Sequence, residues 1–228
     1  MTDTLHRILP QVQKPARYVG GEYNQIVKDK RDVDVRVAFC FPDTYEIGMS
    51  NIGMRILYGL MNELPGVWCE RVFAPWGDME EKMREHAIPL YALESHDPVR
   101  AFDLIAFTIG YEMSYTNILN MLDLSGVPLL ARERKGLENI VFAGGVCAVN
   151  PEPLADFIDF FSFGEGEEIT KEILACYRQA KKDGCSKEEF LLRVSRIDGV
   201  YVPSFYEHSY NPDGMLACLL YTSPSPRD

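Results

Sequence analysis

Two loop segments carry side chains that could hold a bound molecule, and each directly follows an apolar run typical of a buried strand. The first, DTYEIG, has the spacing Asp-x-Tyr-x-x-Gly and offers the carboxylate of Asp43, the phenol of Tyr45 and a turn at Gly48. The second places the hydroxyl of Thr108 at the end of the run DLIAFT. Such groups orient a ligand through hydrogen bonds. The residue types therefore indicate binding.

Glycines mark two further segments, each at the end of an apolar run. Gly144-Gly145 follows NIVFA, and GEGEE occupies residues 164–168. Glycine lets the backbone adopt positive φ or approach another group closely. We expect Glu165 and Gly166 to lie at the same ligand pocket as Gly144 and Gly145. The two glutamates that follow them belong to the first turn of a helix, where they favour the helix dipole.

Each of these segments also has an explanation without a ligand. Asp43 could cap the helix that follows it. Glu112 is the only carboxylate in residues 108–114 and is interpreted as a solvated loop residue or a helix cap. Nothing in the sequence fixes the separation of Glu165 and Glu167, so no acid/base pair is assigned and no catalytic residue is predicted.

Metal chemistry has little support in the composition. The six cysteines form no CxxC or CxxxCxxC cluster, and the four histidines are scattered without metal-ligand spacing. The cysteines are interpreted as small buried residues in a reducing compartment.

The elements that must position these segments alternate between strands and helices. Apolar runs predict strands at 33–41, 68–74, 103–109, 139–143 and 157–163. Helical periodicity and stop signals predict helices at 54–64, 77–86, 113–124, 167–182 and 186–196, the last with a Ser186–Glu189 capping box. This order predicts an α/β fold with a doubly wound, mainly parallel sheet of about five strands, in which ligands bind at the carboxyl edge.

Composition excludes several classes of protein. The chain of 228 residues is 46% apolar, enough for a sizeable core, and its net charge of −11 argues against nucleic-acid binding through electrostatics. No apolar run is long enough to span a bilayer, and the N-terminus has no signal-peptide pattern. We expect a cytoplasmic protein without a membrane partner.

The predicted organisation has four parts. Residues 1–30 form an N-terminal extension, 31–184 a Rossmann-like domain, and 185–216 a helix with an extended linker. Residues 217–228 are interpreted as a non-native tail, because YTSPSPRD resembles translated sequencing-adapter sequence; an ordinary Ser/Pro-rich terminus is the alternative. On the first interpretation the chain is the N-terminal part of a longer protein.

The motif GG-x(5)-PE-x(6)-D-x(4)-GEGE, from Gly144 to Glu167 with Asp159 as its central acid, resembles the N-terminal domain of cobalamin-type radical S-adenosylmethionine (SAM) proteins. The phrases DTYEIGMSNIGMRILYGLMNE and YEMSYTNILNMLDLSGVPL are similar to a narrower, uncharacterised group of these proteins. The resemblance covers roughly residues 15–215.

The resemblance implies a pocket for cobalamin formed by the segments above, but two family features differ. Cobalamin-binding domains have His where this chain has Tyr45, and a protonated tyrosine is a poor cobalt ligand, so a corrinoid would bind without an axial histidine. The CxxxCxxC motif of the family lies in a following barrel. The 4Fe–4S cluster and SAM are therefore expected only on that radical SAM barrel, the implied partner within the full-length chain.

Three functions remain open on this evidence. The first is a non-catalytic accessory module that packs on the barrel and holds a corrinoid. The second is a stand-alone binding or sensor domain for a corrinoid, nucleotide or flavin. The third is a ligand-free structural domain.

Overall fold

A six-stranded sheet forms the centre of the computed structural model, which describes residues 2–221. Its strands are β1 (Val35–Phe41), β2 (Val67–Phe73), β3 (Leu104–Thr108), β4 (Ile140–Gly144), β5 (Phe160–Ser162) and β6 (Val200–Tyr201). Their order in the sheet is β2-β1-β3-β4-β5-β6. The first five are parallel, and β6 pairs antiparallel with β5. This is the doubly wound α/β fold that the sequence predicts, with one short strand more than expected.

Helices cover both faces of the sheet. They are α1 (Thr2–Ile8), α2 (Tyr45–Ser50), α3 (Ile52–Glu63), α4 (Gly77–Glu85), α5 (Tyr115–Ser125), α6 (Gly166–Asp183) and α7 (Lys187–Val194). Residues of α1, α4 and α5 share one apolar cluster with the sheet, and residues of α3, α6 and α7 share the other. Alternate residues of each strand enter the two clusters, which explains why the strands are apolar runs without polar alternation.

The N-terminal extension packs against the domain. Leu5, Ile8 and Val12 are buried in the cluster under α4 and α5. Residues 13–28, here called the strap, then run past β2 and the start of α3. The strap is held by side-chain bonds such as those from Ile26 N to Tyr58 Oη (2.8 Å) and from Trp68 Nε1 to Ile26 O (3.0 Å).

The predicted element boundaries agree with the structure to within a few residues, with one exception. Residues 45–50, expected as loop, form helix α2, which ends where Asn51 caps α3 by accepting from Met54 N at 2.8 Å. The glycine at position 48 gave no helical signal because isolated glycine disfavours helix. The Ser186–Glu189 capping box is confirmed.

The extended stretch predicted after α7 contains β6 and then β7 (Tyr206–Tyr210), which pairs antiparallel with β8 (Leu216–Tyr221). The part of the predicted non-native tail that spans residues 222–228 lies outside the described residues.

Candidate functional site

A cleft of about 320 Å³ opens at the carboxyl ends of β3 and β4, between α3 and α6. The sheet reverses its winding between β1 and β3, the usual ligand position in such folds, and the cleft borders this point through Phe39 of β1. Four predicted site residues line it: Thr108, Gly144, Gly145 and Gly166. Ser162 and Thr170 add hydroxyls, and Leu57 and Phe142 add apolar wall.

The Gly144-Gly145 pair is required by close packing of two strand ends. Gly145 has φ +103°, and a Cβ there would lie 2.7 Å from Ile109 O. A Cβ on Gly144 would lie 2.7 Å from Ser162 Oγ. Ile109 N donates to Gly144 O at 2.7 Å, and Cys147 N donates back to Ile109 O at 3.1 Å. The absence of side chains at these glycines lets the loops after β3 and β4 pack together. It also leaves their backbone exposed on the cleft wall.

Gly166 brings α6 against α3. A Cβ at Gly166 would lie 3.1 Å from Leu57 Cδ1, so any larger residue would force the Leu57 side chain to shift by a few tenths of an ångström. Glu165 is the N-cap residue of α6, is exposed and makes no side-chain capping bond. It does not line the cleft. The two following glutamates lie in the first turn of α6, as predicted.

Asp43 connects loops beside the cleft. Its Oδ2 accepts a hydrogen bond from Tyr111 Oη at 2.7 Å, and its Oδ1 accepts from Thr44 N at 2.7 Å. The N-cap residue of α2 is Thr44, so Asp43 does not cap that helix.

Tyr45 and Gly48 lie on the β1–β2 side of the domain. The Tyr45 ring packs edge-on against Phe73, with centroids 5.5 Å apart. Burial raises the pKa of Tyr45, and the neighbouring Glu22 carboxylate raises it further, which disfavours the phenolate. Gly48 is buried against the rings of Phe73 and Phe41, where no side chain would fit. Neither residue lines the cleft, and their ligand role stays a prediction.

The motif residue Asp159 has a structural environment. Its side chain is buried between Arg134 (Nη2–Oδ2 3.0 Å) and Lys187, and it accepts from Val141 N at 2.7 Å. Arg134 and Lys187 also donate to backbone carbonyls of the loop before β4. The acid therefore holds α7 and that loop against β4.

Exposed apolar side chains, here called the rim, lie at the same edge of the sheet as the cleft. Its members lie in the segments that follow β1, β2, β3 and β4, so they share one edge of the parallel sheet. They are Ile47, Trp76, Tyr111, Met113, Val146 and Val149, and their exposed fractions run from 43% to 83%. Sequence reasoning missed this rim because single apolar residues in loops carry no signal of exposure.

Sequence reasoning also missed Arg71, whose side chain is only 7% exposed. The pair Glu70-Arg71 inside the otherwise apolar strand VWCERVF was the available signal, because β2 is buried along its whole length.

Neither a metal site nor a membrane-spanning helix is found among the described residues. Between residues 2 and 221, no group of three or more His, Cys, Asp or Glu side chains is placed to hold a metal ion. No helix in the same range combines the length and apolar character needed to cross a bilayer.

Comparisons with known proteins give this chain a relative and a family. The chain is 29% identical over 143 residues to the uncharacterised protein MJ0966 of Methanocaldococcus jannaschii, an alignment that covers 60% of this chain and 26% of that relative. The chain thus matches about a quarter of that relative's length. The family model for the N-terminal region of radical SAM proteins matches residues 53–203, well over half of the chain. The chain belongs to the family of radical SAM protein N-terminal domains.

Proposed function

We propose that this domain is the accessory N-terminal module of a radical SAM protein and that its cleft holds a small ligand or one end of a larger one. The observation that carries the proposal is the cleft itself: Thr108, Gly144, Gly145 and Gly166 converge on it beside the winding reversal of the sheet. Family membership supports the accessory role, since the family is defined as the N-terminal part of such proteins.

The size and chemistry of the cleft limit what fits. Small-molecule pockets measure about 300–1,000 Å³, so 320 Å³ suits a narrow group. A corrinoid would place only an appended group there, against the hydroxyls of Thr108 and Ser162 and the glycine backbone. Its ring would lie over the apolar rim. Because the Tyr45 ring packs against Phe73, the proposed corrinoid takes no axial ligand from that side chain.

The same rim supports a docked partner domain. Several large exposed apolar groups at one edge of a sheet are typical of an interaction site, and the matched relative is much longer than this chain. We propose that the radical SAM barrel of the full-length protein covers the rim. The CxxxCxxC loop, the 4Fe–4S cluster and SAM would then belong to that barrel, with the ligand between the two domains.

The test is retention of hydroxocobalamin. The purified chain is incubated with hydroxocobalamin, passed through gel filtration, and its visible spectrum recorded. A Thr108→Gln variant, which fills the cleft, is expected to reduce the retained corrinoid at least tenfold. Thr116→Gln, at an exposed position of α5 away from the cleft, is the matched control and should retain corrinoid like the wild type.

Other outcomes separate the alternatives. If no corrinoid elutes with the wild type, the cobalamin proposal fails. Retention of FMN or a nucleotide in parallel incubations, abolished by Thr108→Gln, would then identify a sensor-type binding domain. Failure to retain any of the three ligands would leave the structural domain as the function of this fold.

A further inference from the structure

A second cavity lies on the opposite side of α3 from the cleft and has the features of an anion site. It measures about 800 Å³ and is bordered by the strap and α3. Its walls are largely apolar, with Ile26, Ile52, Met54 and Tyr58 among the lining residues. Gly59 also lines it, and a Cβ at Gly59 would meet nothing within 4 Å, so no side chain fills the space at that position. This cavity is independent of the function proposed above.

Arg71 is a buried cation on the wall of this cavity. Its Nε donates to Glu94 Oε1 at 2.7 Å, and its guanidinium carbon lies 4.5 Å from the centre of the Tyr58 ring. The remaining contacts are weaker: Nη2 donates to Glu22 Oε2 at 3.2 Å, and Nη1 donates to Met49 Sδ at 3.3 Å. A thioether is a weak acceptor. The outer fork of the guanidinium is therefore poorly satisfied for a buried group.

Both oxygens of the Glu94 carboxylate are already occupied by Arg71. Its Oε2 accepts from Arg71 N at 2.7 Å, while Oε1 accepts from Arg71 Nε, so both carboxylate oxygens serve the same arginine. Among the polar residues that line the cavity, Arg71 is the buried cation, and its outer fork matches a planar carboxylate in two-point contact.

Glu22 is placed to be exchanged. It lies on the strap directly after Gly20 and Gly21, which have φ +64° and +82°, and before Tyr23, whose side chain is fully exposed. Glu22 makes one 3.2 Å contact to Arg71 and also lies beside the Tyr45 hydroxyl, so a ligand that displaces it must replace both interactions. Arg71 Nη1 has no oxygen partner among the described residues. Replacing the Glu22 carboxylate with that of a ligand keeps the local charge unchanged.

We propose that this cavity binds a carboxylate with an apolar body: the carboxylate takes the outer fork of Arg71 in place of Glu22, and the apolar part lies along α3. The Glu22–Arg71 contact then acts as a latch that competes with the ligand. Arg55, which also lines the cavity, adds a second positive charge.

The test uses octanoate as the probe and isothermal titration calorimetry on the whole chain. Wild-type protein is expected to bind octanoate, and octan-1-ol of the same length is expected to bind at least tenfold more weakly. Glu22→Gln removes the competing carboxylate and should tighten octanoate binding about tenfold. Arg71→Met should abolish it, with circular dichroism to confirm that this variant folds.

Glu46→Gln is the matched control. Glu46 also joins the strap to the domain, through Lys14 and Arg17, and the change removes the same charge without a contact to Arg71. Its octanoate affinity should stay within twofold of wild type. The proposal is overturned if octanoate does not bind, if octan-1-ol binds equally well, if Glu22→Gln leaves the affinity unchanged, or if Glu46→Gln tightens it as much as Glu22→Gln does.

Discussion

Tyr111 Oη donates a 2.7 Å hydrogen bond to Asp43 Oδ2 and so joins the loop after β3 to the loop after β1. These strands are neighbours in the sheet, and the winding reverses between them. Asp43, which the sequence predicts as a ligand group, is therefore engaged in holding two loops together at the rim. A ligand that needs the Asp43 carboxylate must compete with Tyr111.

Replacement of Tyr111 by Phe should lower the free energy of unfolding by about 0.5 kcal/mol, near the low end for a hydrogen bond because the side chain is 43% exposed. The hydrogen bond to Asp43 raises the pKa of Tyr111, because the bond requires the protonated phenol. Its stabilisation is thus fully present below the unfolded-state pKa of about 10 and lost as pH rises through the higher folded-state pKa. Urea unfolding at pH 7, 9 and 10.5 measures the wild-type minus variant difference, which should shrink only at the highest pH. A difference that grew with pH would contradict this assignment.

Gly145→Ala should destabilise the fold by about 2–3 kcal/mol, since an L-residue is strained at φ +103° and its Cβ would meet Ile109 O. Gly110→Ala, in the neighbouring loop where a Cβ would meet nothing within 4 Å, should be nearly neutral. Thermal and urea unfolding of both variants tests the comparison. Equal stability of the two would show that the glycine pair is not required by packing.

Asp159→Asn should lower the free energy of unfolding by about 3–5 kcal/mol, because Arg134 and Lys187 would remain buried without a counter-ion. The control is Asp183→Asn, which loses a partly exposed ion pair to Arg193 and should cost less than about 1 kcal/mol. Urea midpoints give both values. If the two substitutions cost the same, the buried trio does not anchor α7.

The thiols should separate into two classes under a thiol-specific reagent. Burial raises the pKa of the Cys40 and Cys69 thiols, so neither should be labelled in the native protein. Cys147, Cys176 and Cys185 are partly exposed and should be labelled before unfolding. Peptide mass spectrometry after labelling with and without urea assigns the positions, and native labelling of Cys40 would contradict the buried core. The expectation that cysteines are buried thus holds for two of the five whose side chains are described.

Much of the fold was predictable from local pattern. The five parallel strands are mostly apolar because both faces of the sheet are covered. The helices are recognisable from their periodicity and from caps such as that at Ser186. Family-like order along the chain predicted that Thr108, Gly144, Gly145 and Gly166 would meet at one edge, and they line one cleft. The prediction was possible because parallel strands place all their carboxyl ends together.

The direction in which each side chain points was not predictable. Tyr45, like the other predicted site residues, follows a parallel strand, but helix α2 turns its ring toward Phe73 and Glu22. The strap that supplies Glu22 gave no sequence signal of where it would lie, because its contacts join residues far apart in the chain.

By itself, the sequence determined the succession of strands and helices along the chain, the buried character of the sheet and the positions of the glycines. These features follow from local sterics and periodicity. Only the tertiary structure decided which groups share a cavity: the cleft at Gly145, the rim above it and the separate pocket at Arg71. Such groupings depend on packing between distant segments, and no local pattern of residues encodes that packing.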